Sequence, residues 1–500
     1  MHRPISLSRA ALLAAFSLAI ATPARAQAPP ATETHGEMPA NAVGRLVGGM
    51  VSAINGADDA ALVRWLDAAR SPGAQQPRDE MLAYLRGLRD QGGGVTVGTS
   101  RVTARGTLVA ELWARGVDAG VQVAVFPDAA DSTRLMRIAV ERPIRRGAQF
   151  RPFPRERMDD ARMTRLIEEE LRRMEAADQF SGVVLVARGG QVLHHGTYGR
   201  ENPLTGARMT TRSRFHLASQ GKMFTSVAIA QLVEAGRLSL DDTVGALLPG
   251  HPWTAQARGI TLRPLRSHTS GLGGLFDRPS YVQGQVFRDA TERLAIFASE
   301  PLYFAPGERY AYSNEGFETL AAIVEAKTGE RFNDYVLRNV LRRAGMATAL
   351  PDAPADSLTD RALPSPHGER DLFGIQPRVT ASRGWDAGGA GGGHASAEDM
   401  FRFARALTAG RLVGRAMLDT LITGGPSGGG ETHYAYGFMT RQVNGRAVFG
   451  HSGGGPRGVA MCNDMDVFAD GTYTVVVMSN YDAPFCATVK DAITQMLALN

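Results

Sequence analysis

The chain has 500 residues, 44 % of them hydrophobic and 21 % charged, which is typical of globular protein and excludes a disordered or fibrous one. This length predicts two or three domains. Aromatic residues make up 7 % of the chain and do not interleave with clustered basic residues, so no nucleic-acid partner is expected.

Residues 1–26 have the pattern of a secretory signal peptide. A basic start is followed by an apolar run from Ala10 to Ala21 and by a small-x-small cleavage site that ends at Ala26. The run is too short to span a membrane, so no stable membrane insertion is expected after cleavage. Removal of this segment takes away three arginines and no acidic residue, which lowers the formal net charge from +5 to +2. We therefore expect a periplasmic or secreted protein.

The next segments predict a small separate domain. Residues 27–40 are rich in Pro, Ala and Thr and are expected to form a flexible leader. Residues 41–142 begin with helical periodicity and change to short alternating stretches, which predicts a small α+β domain. It contains no candidate catalytic group, so we interpret it as a binding or packing module for an unknown partner. The Pro- and Arg-rich residues 143–157 are expected to be a linker.

Residues 158–500 predict a second α+β domain. A helical pattern over 159–176 precedes two strand-like runs joined by Gly-Gly, which indicates a hairpin. Three more strand-like runs and a closing helix lie near the C-terminus, and the segments between are largely helical. We expect one sheet built from both ends of this domain, with a helical insertion.

The stretch "HLASQGKMF" (216–224) contains Ser219 and Lys222, three residues apart at the start of an apolar helix. Lys222 is one of only three lysines, the others being Lys327 and Lys490. A desolvated lysine can lose its proton and act as a base, whereas arginine cannot. Residues i and i+3 share a helix face, so the amine is expected beside the hydroxyl. The alternative is a helix cap and a lysine that extends to solvent.

A family resemblance rests on five segments in one order. These are "FHLASQGKMFTSVAIAQLVEAGRLSLDDTV", "ITLRPLRSHTSGL", "YFAPGERYAYSNEGFETLAAIVEAKTGERF", "GGGHASAEDMFRFARAL" and "AYGFM…VFGHSGG". They resemble the serine β-lactamase and penicillin-binding-protein superfamily, especially class C β-lactamases, D-Ala-D-Ala carboxypeptidases and β-lactamase-like esterases. The resemblance covers about 158–500. It implies a β-lactamase/transpeptidase-like antiparallel sheet flanked by helices, with a helical subdomain, and a serine hydrolase that needs no cofactor or metal.

The resemblance also implies roles for individual residues. Ser219 would be the nucleophile, and Lys222 and Tyr312 would move its proton. Tyr312 would serve as general base for the serine and later as acid to the leaving group, and Asn314 would hold the lysine and the substrate. The oxyanion hole would consist of the backbone N–H groups of Ser219 and Gly454.

The family's third motif, usually Lys-Thr-Gly on an edge strand, poses a choice between two segments. A literal Lys-Thr-Gly at 327–329 ends a helical pattern, and a lysine in the last turn followed by a capping glycine is common where a helix ends. The strand "AVFGHSGG" fits better, so His451, Ser452 and Gly453 are expected to bind substrate. A histidine is mostly neutral at pH 7 and binds a substrate carboxylate less well than lysine. Arg457 could supply charge instead.

These residues leave three functions open. We favour an exported serine hydrolase that forms an acyl-enzyme with an ester or a peptide of D-amino-acid type. The alternatives are a true class C-like β-lactamase and a non-catalytic cell-wall or peptide-binding protein. The G-x-S-x-G spelling at 450–454 lacks the following helix of an α/β-hydrolase nucleophile elbow. Cys462 and Cys486 are candidates for a disulfide, with two buried free thiols as the alternative.

Overall fold

The structure is a computed structural model of the chain. It describes residues 34–500 except 57, 75, 91, 104–105, 116–118, 129, 146–149, 178, 274–286, 352–357, 359, 364–387, 430–431, 455–460 and 482–484. The expected signal peptide, residues 27–33 of the expected leader and Arg457 therefore lie outside the described residues. Within the described part of the chain, no helix combines the length and the apolar character needed to cross a bilayer.

The first unit packs three helices against an antiparallel sheet. Its elements are β1 (Thr34–His35), α1 (Ala42–Asn55), α2 (Asp59–Ala69), α3 (Arg78–Asp90), β2 (Val95–Val102), β3 (Leu108–Ala114), β4 (Ala119–Pro127) and β5 (Leu135–Arg145). The strands follow one another in chain order across the sheet, as a meander. Aliphatic side chains of the helices and of β2 to β5 form one separate core.

Two boundaries of this unit differ from the sequence prediction. Thr34 and His35, which fall within the expected flexible leader, pair with Thr99 and Ser100 of β2. At the other end, β5 continues to Arg145 and so enters the expected linker. Both differences arise because backbone hydrogen bonds to a neighbouring strand extend the sheet beyond the segments with a clear hydrophobic alternation.

The second unit contains the remaining elements. They are α4 (Asp160–Ala176), β6 (Gly182–Arg188), β7 (Gln191–Tyr198), β8 (Phe215–His216), α5 (Lys222–Glu234), α6 (Val244–Leu247), α7 (Ala255–Arg258), α8 (Leu262–Arg266), α9 (Ala290–Leu294), α10 (Asn314–Thr328), α11 (Phe332–Val336), β9 (His394–Ala395), α12 (Ala397–Thr408), α13 (Arg415–Ile422), β10 (Ser427–Gly429), β11 (Thr432–Tyr434), β12 (Met439–Val443), β13 (Arg446–Gly454), β14 (Cys462–Phe468), β15 (Tyr473–Ser479) and α14 (Phe485–Leu497). A 3-10 turn (Ala218–Gly221) precedes α5, and a π-helical turn (Leu337–Arg342) follows α11.

One antiparallel sheet joins the two ends of this unit. Its order is β10-β11-β12-β13-β14-β15-β6-β7, so the last strand of the chain pairs with the first strand of the unit. Helices α4 and α14 pack on one face, while α12 and the helical insertion pack on the other. This arrangement confirms the predicted α+β fold of an antiparallel sheet flanked by helices, and it confirms the hairpin of β6 and β7.

Two helices of the insertion position the site. Helix α5 is buried on nearly all sides, in agreement with its continuous apolar sequence. Helix α10 packs on α5 and begins where the side chain of Ser313 accepts a hydrogen bond from the Gly316 N–H. It ends at Gly329, which has φ +73°. The literal Lys-Thr-Gly is therefore a helix terminus, as predicted, and not an edge strand.

Candidate active site

Ser219 lies in the 3-10 turn that leads directly into α5. Ala218 before it has φ +46°, in the left-handed region that non-glycine residues rarely occupy. The turn packs closely against the glycine-rich segment 388–393. A Cβ on Gly391, which has φ +142°, would lie 2.2 Å from the Ala218 carbonyl oxygen. Only glycine therefore fits at position 391, and the packing holds Ser219 in place.

The amine of Lys222 lies at the centre of the site. Its Nζ is 3.2 Å from Ser219 Oγ, 2.8 Å from Asn314 Oδ1 and 2.5 Å from the Ala390 carbonyl oxygen. The side chain is fully buried. Desolvation lowers the pKa of Lys222 from 10.5 to about 7, although nearby Glu318 and Glu315 partly oppose this change. A substantial fraction of the amine is therefore neutral at neutral pH.

The neutral amine has two hydrogens and one lone pair. The acceptors Asn314 Oδ1 and Ala390 O take the two hydrogens, so the lone pair is left for the Ser219 hydroxyl. The structure thus brings together Ser219, Lys222 and Asn314 as the sequence predicts. It adds the Ala390 carbonyl, which no motif indicated.

Tyr312 approaches the serine from the other side. Its hydroxyl is hydrogen-bonded to Ser219, and its ring centroid lies 4.9 Å from Lys222 Nζ. Desolvation of the hydroxyl raises the pKa of Tyr312, although the hydrogen bond to Ser219 partly lowers it. At neutral pH the phenol is therefore protonated and can donate a proton, whereas Lys222 can accept one.

His451 faces the same site from β13, and both of its ring nitrogens are engaged. Nδ1 lies 2.6 Å from the Ser452 carbonyl oxygen, which can only accept, so Nδ1 carries the hydrogen. Nε2 lies 2.8 Å from the hydroxyl of Tyr434, which therefore donates to it. Burial lowers the pKa of His451 to about 3, so the ring is neutral at neutral pH. It offers neither a positive charge nor a free N–H to a substrate carboxylate.

Two aromatic residues complete the site and were not predicted as part of it. Tyr434 is buried at the end of β11, and His268 packs between Tyr434 and Tyr312, with 4.2 Å between ring centroids on each side. His268 Nδ1 also accepts a hydrogen bond from the Ser313 N–H at 3.0 Å. His268 has φ +57°, in the left-handed region, and its ring contacts arise only from the fold.

The end of β13 lies against the turn that carries the nucleophile. Gln220 Nε2 donates to the His451 carbonyl at 3.1 Å, and a Cβ on Gly453 would lie 2.1 Å from the Leu217 carbonyl oxygen. Gly454, the predicted second oxyanion donor, has φ +116° at the end of this strand. Its role and that of the Ser219 N–H remain predictions.

Ser452 does not share the orientation of His451. Its Oγ lies 3.6 Å from Met439 Sδ, and it stands opposite Asp464 in the antiparallel register of β13 and β14. Neighbouring side chains along a strand point to opposite faces, so the Ser452 side chain lies on the face away from the His451 ring. Ser452 was predicted to bind substrate, but its contact with the site is made by its backbone carbonyl, which accepts a hydrogen bond from His451 Nδ1.

Cys462 and Cys486 form a disulfide that connects β14 to α14. Among the described residues, no group of three or more His, Cys, Asp or Glu side chains is arranged to hold a metal ion.

Residues 165–498 match the family model described as Beta-lactamase. The chain belongs to the beta-lactamase family. It is 31 % identical over 319 residues to penicillin-binding protein 4* of Bacillus subtilis, a match that covers 60 % of this chain and 68 % of that protein. It is 32 % identical over 258 residues to esterase EstB of Burkholderia gladioli, covering 45 % of this chain and 65 % of EstB.

Solved structures resemble this chain in fold. The penicillin-binding protein of Bacillus halodurans has a TM-score of 0.55 and 28 % identity, covering 65 % of this chain and 98 % of that one. A D-amino acid amidase of Ochrobactrum anthropi has a TM-score of 0.53 and 19 % identity, covering 68 % and 97 %. The relatives named as an esterase and as penicillin-binding proteins support a serine hydrolase, consistent with the geometry of Ser219 and Lys222.

Proposed function

We propose that this beta-lactamase-family protein is an exported serine hydrolase that forms an acyl-enzyme with an ester or a peptide of D-amino-acid type. The observation that carries the proposal is the position of Ser219 Oγ between the Lys222 amine and the Tyr312 hydroxyl. A serine hydroxyl becomes nucleophilic when a positioned base removes its proton as it attacks.

The reaction follows from the protonation states. The Ser219 hydroxyl passes its proton to the neutral Lys222 amine while Oγ bonds to the substrate carbonyl carbon. The oxyanion is stabilised by the backbone N–H groups of Ser219 and Gly454. The protonated Tyr312 is placed to donate to the leaving alkoxide or amine, and Lys222 then returns a proton to Tyr312. In the second half, a water molecule gives a proton to the neutral Lys222 amine as its oxygen attacks the ester carbon, and the pair returns this proton to Ser219 Oγ as the bond between Oγ and the acyl carbon breaks.

Within this substrate class, His451 favours esters and uncharged D-amino-acid amides over substrates that present a carboxylate, such as a β-lactam. A β-lactam or a peptide C-terminus presents a carboxylate, and a neutral ring with both nitrogens engaged does not attract it. Esters and neutral amides do not need that charge. The relative named esterase EstB supports the same choice.

The first test is intact mass after incubation with a fluorophosphonate. We expect one adduct per chain, which is lost in Ser219→Ala and retained in Ser452→Ala. Absence of the adduct, or its persistence in Ser219→Ala, would contradict the proposal and favour a non-catalytic binding protein of the same fold.

A substrate panel then separates the two hydrolase classes. We expect turnover of p-nitrophenyl esters or of neutral D-amino-acid amides to exceed that of nitrocefin and of a D-Ala-D-Ala peptide with a free carboxylate. Higher kcat/KM for nitrocefin would indicate a true β-lactamase instead.

Export is part of the proposal and has its own test. The pattern of residues 1–26 and the disulfide both fit an oxidising compartment outside the cytoplasm. N-terminal sequencing of the mature protein from the periplasm or the medium should begin at Gln27. A cytoplasmic product that begins at Met1 would contradict export.

A further inference from the structure

A buried carboxylate lies behind the candidate base. Glu318 is only 1 % exposed and is one helical turn after Asn314 on α10, so the two side chains share a helix face. Its Oε2 accepts a hydrogen bond from the Gly389 N–H at 3.1 Å, and its Oε1 accepts one from the Ala390 N–H at 3.2 Å. One carboxylate therefore holds two successive peptide groups.

The carbonyl groups of the same two residues are bound by side chains of α5. The Ala390 carbonyl accepts the hydrogen bond from Lys222 Nζ, and the Gly389 carbonyl accepts one from Thr225 Oγ1 at 2.7 Å. A Cβ on Gly389 would lie 1.9 Å from the Phe317 carbonyl oxygen, so this segment lies directly on α10. Segment 389–390 is thus held between α10 and α5.

This arrangement controls the direction of the Lys222 lone pair. Asn314 is fixed by its place on a helix, but Ala390 lies in a loop, and its carbonyl needs another support. If the Ala390 carbonyl moved, the amine hydrogens would reorient and the lone pair would no longer point at Ser219 Oγ.

The charge of Glu318 is balanced by a buried arginine. Arg293 Nη1 lies 3.3 Å from Glu318 Oε1, and the two side chains are 8 % and 1 % exposed. A buried carboxylate without such a partner would take up a proton instead. Arg293 is this partner for Glu318, whose charge also acts on the nearby Lys222 amine.

We propose that Glu318 is a positioning residue for Lys222: its carboxylate, paired with Arg293, binds the Ala390 N–H and so holds this residue where its carbonyl accepts one amine hydrogen and the lone pair points at Ser219. This inference rests on the hydrolase function proposed above. It concerns a residue that touches neither Ser219 nor the substrate and acts through the peptide backbone.

The test compares Glu318→Gln with Glu325→Gln. Glu325 lies two turns farther along α10, and its carboxylate accepts hydrogen bonds from the backbone N–H groups of Ala290 and Phe332, away from Lys222. For Glu318→Gln we expect kcat to fall by up to about 100-fold with a smaller change in KM, as for a misplaced catalytic group. Loss of the Glu318 negative charge also destabilises the protonated Lys222 amine and so lowers its pKa. The pH below which kcat/KM falls, which we call the acid limb of the profile, should therefore move to a lower value. Glu325→Gln should leave the acid limb in place.

A second readout does not depend on turnover. The chain has only three lysines, so lysine labelled with 13C at Cε gives three NMR signals, and Lys222 is assigned by its absence in Lys222→Met. We expect Lys222 to titrate at lower pH in Glu318→Gln than in the wild type, while the signal of Lys327 stays unchanged.

The outcomes are distinguishable. If the wild type forms no acyl-enzyme, the proposed function fails, and the NMR titration still tests the role of Glu318. If Glu318→Gln keeps the wild-type kcat and Lys222 titration, the inference is overturned, as it is if Glu325→Gln shows the same changes. Should Glu318→Gln not fold because the ion pair between Glu318 and Arg293 is lost, the double variant Glu318→Gln/Arg293→Met removes both charges and carries the same expectations.

Discussion

Tyr434 donates its hydroxyl hydrogen to Nε2 of His451 across 2.8 Å, and both side chains are buried. The bond fixes the tautomer of the His451 ring, with the hydrogen on Nδ1. The His451 ring is neutral and both of its nitrogens are hydrogen-bonded. At this residue β13 therefore contributes packing and hydrogen bonds to the site, but no positive charge. That property underlies our expectation of an uncharged substrate.

Tyr434→Phe removes the only hydrogen-bond donor described at His451 Nε2. We expect the free energy of unfolding to fall by about 1–3 kcal/mol, because a buried acceptor is left unsatisfied, and kcat/KM to fall as well. The measurement is urea unfolding followed by ester kinetics. Tyr436→Phe is the matched control, because the Tyr436 hydroxyl bonds to the half-exposed Arg263. Equal losses in the two variants would contradict a special role for Tyr434.

Lys222→Arg keeps a positive charge at the site but removes the base. Arginine remains protonated in proteins, so it cannot accept the Ser219 proton. We expect the rate of acylation to fall by a factor of about 10² to 10⁴, the usual contribution of a positioned acid or base. Lys327→Arg, at the exposed end of α10, should acylate at the wild-type rate. Fluorophosphonate labelling rates measure both, and comparable rates in the two variants would refute Lys222 as the base.

The activity should depend on pH through Lys222. Desolvation lowers its pKa to about 7, and only the neutral amine accepts a proton. As pH falls below this value the amine becomes charged, so kcat/KM should fall about tenfold per pH unit toward pH 5. Burial also lowers the pKa of His451 to about 3, so His451 is not the source of this limb.

The profile is measured with an ester that does not ionise in this range. His451→Asn should keep the acid limb at the same pH even if its kcat/KM is lower. A profile that is flat from about pH 5 to 8, where this limb is expected, would show that the Lys222 amine is not the proton acceptor.

The Cys462–Cys486 disulfide should contribute to stability through the chain it closes. The two cysteines are 24 residues apart, and a loop of this size corresponds to roughly 3–4 kcal/mol in the chain-entropy description. We expect Cys462→Ser/Cys486→Ser to unfold at lower urea concentration than the oxidised wild type. Reductant should destabilise the wild type and leave the double variant unchanged. Equal stability with and without reductant in the wild type would argue against a stabilising bridge.

Local patterns predicted the parts of the site that local geometry controls. Ser219 and Lys222 are three residues apart at a helix start, so one helical turn brings their side chains together whatever the rest of the fold does. The end of α10 at Gly329 was predictable for the same reason, because a left-handed glycine after a helix is a local feature. The strand alternation likewise predicted the sheet of the second unit.

Other parts of the site had no local pattern to reveal them. Tyr434, His268 and Ala390 come from segments far apart in the chain, and each acts through one atom or one ring face. The role of Ala390 is carried by a backbone carbonyl, which every residue has, so its identity carries no signal. The motif grouped Ser452 with His451 as a substrate-binding residue. Successive side chains of a strand point to opposite faces, however, so the Ser452 side chain lies on the face away from the His451 ring.

The sequence by itself determined the family, the sheet built from both ends of the second unit, and the pairing of a serine with a rare lysine. The tertiary structure decided the protonation states. Burial makes the Lys222 amine a base near neutral pH and keeps His451 neutral, because the cost of desolvating a charge depends on every group packed around it. It also decided the surroundings of Lys222, since the Ala390 carbonyl reaches the Lys222 amine, and the Ala390 N–H reaches the Glu318 carboxylate, only when α10, α5 and the glycine-rich segment pack together.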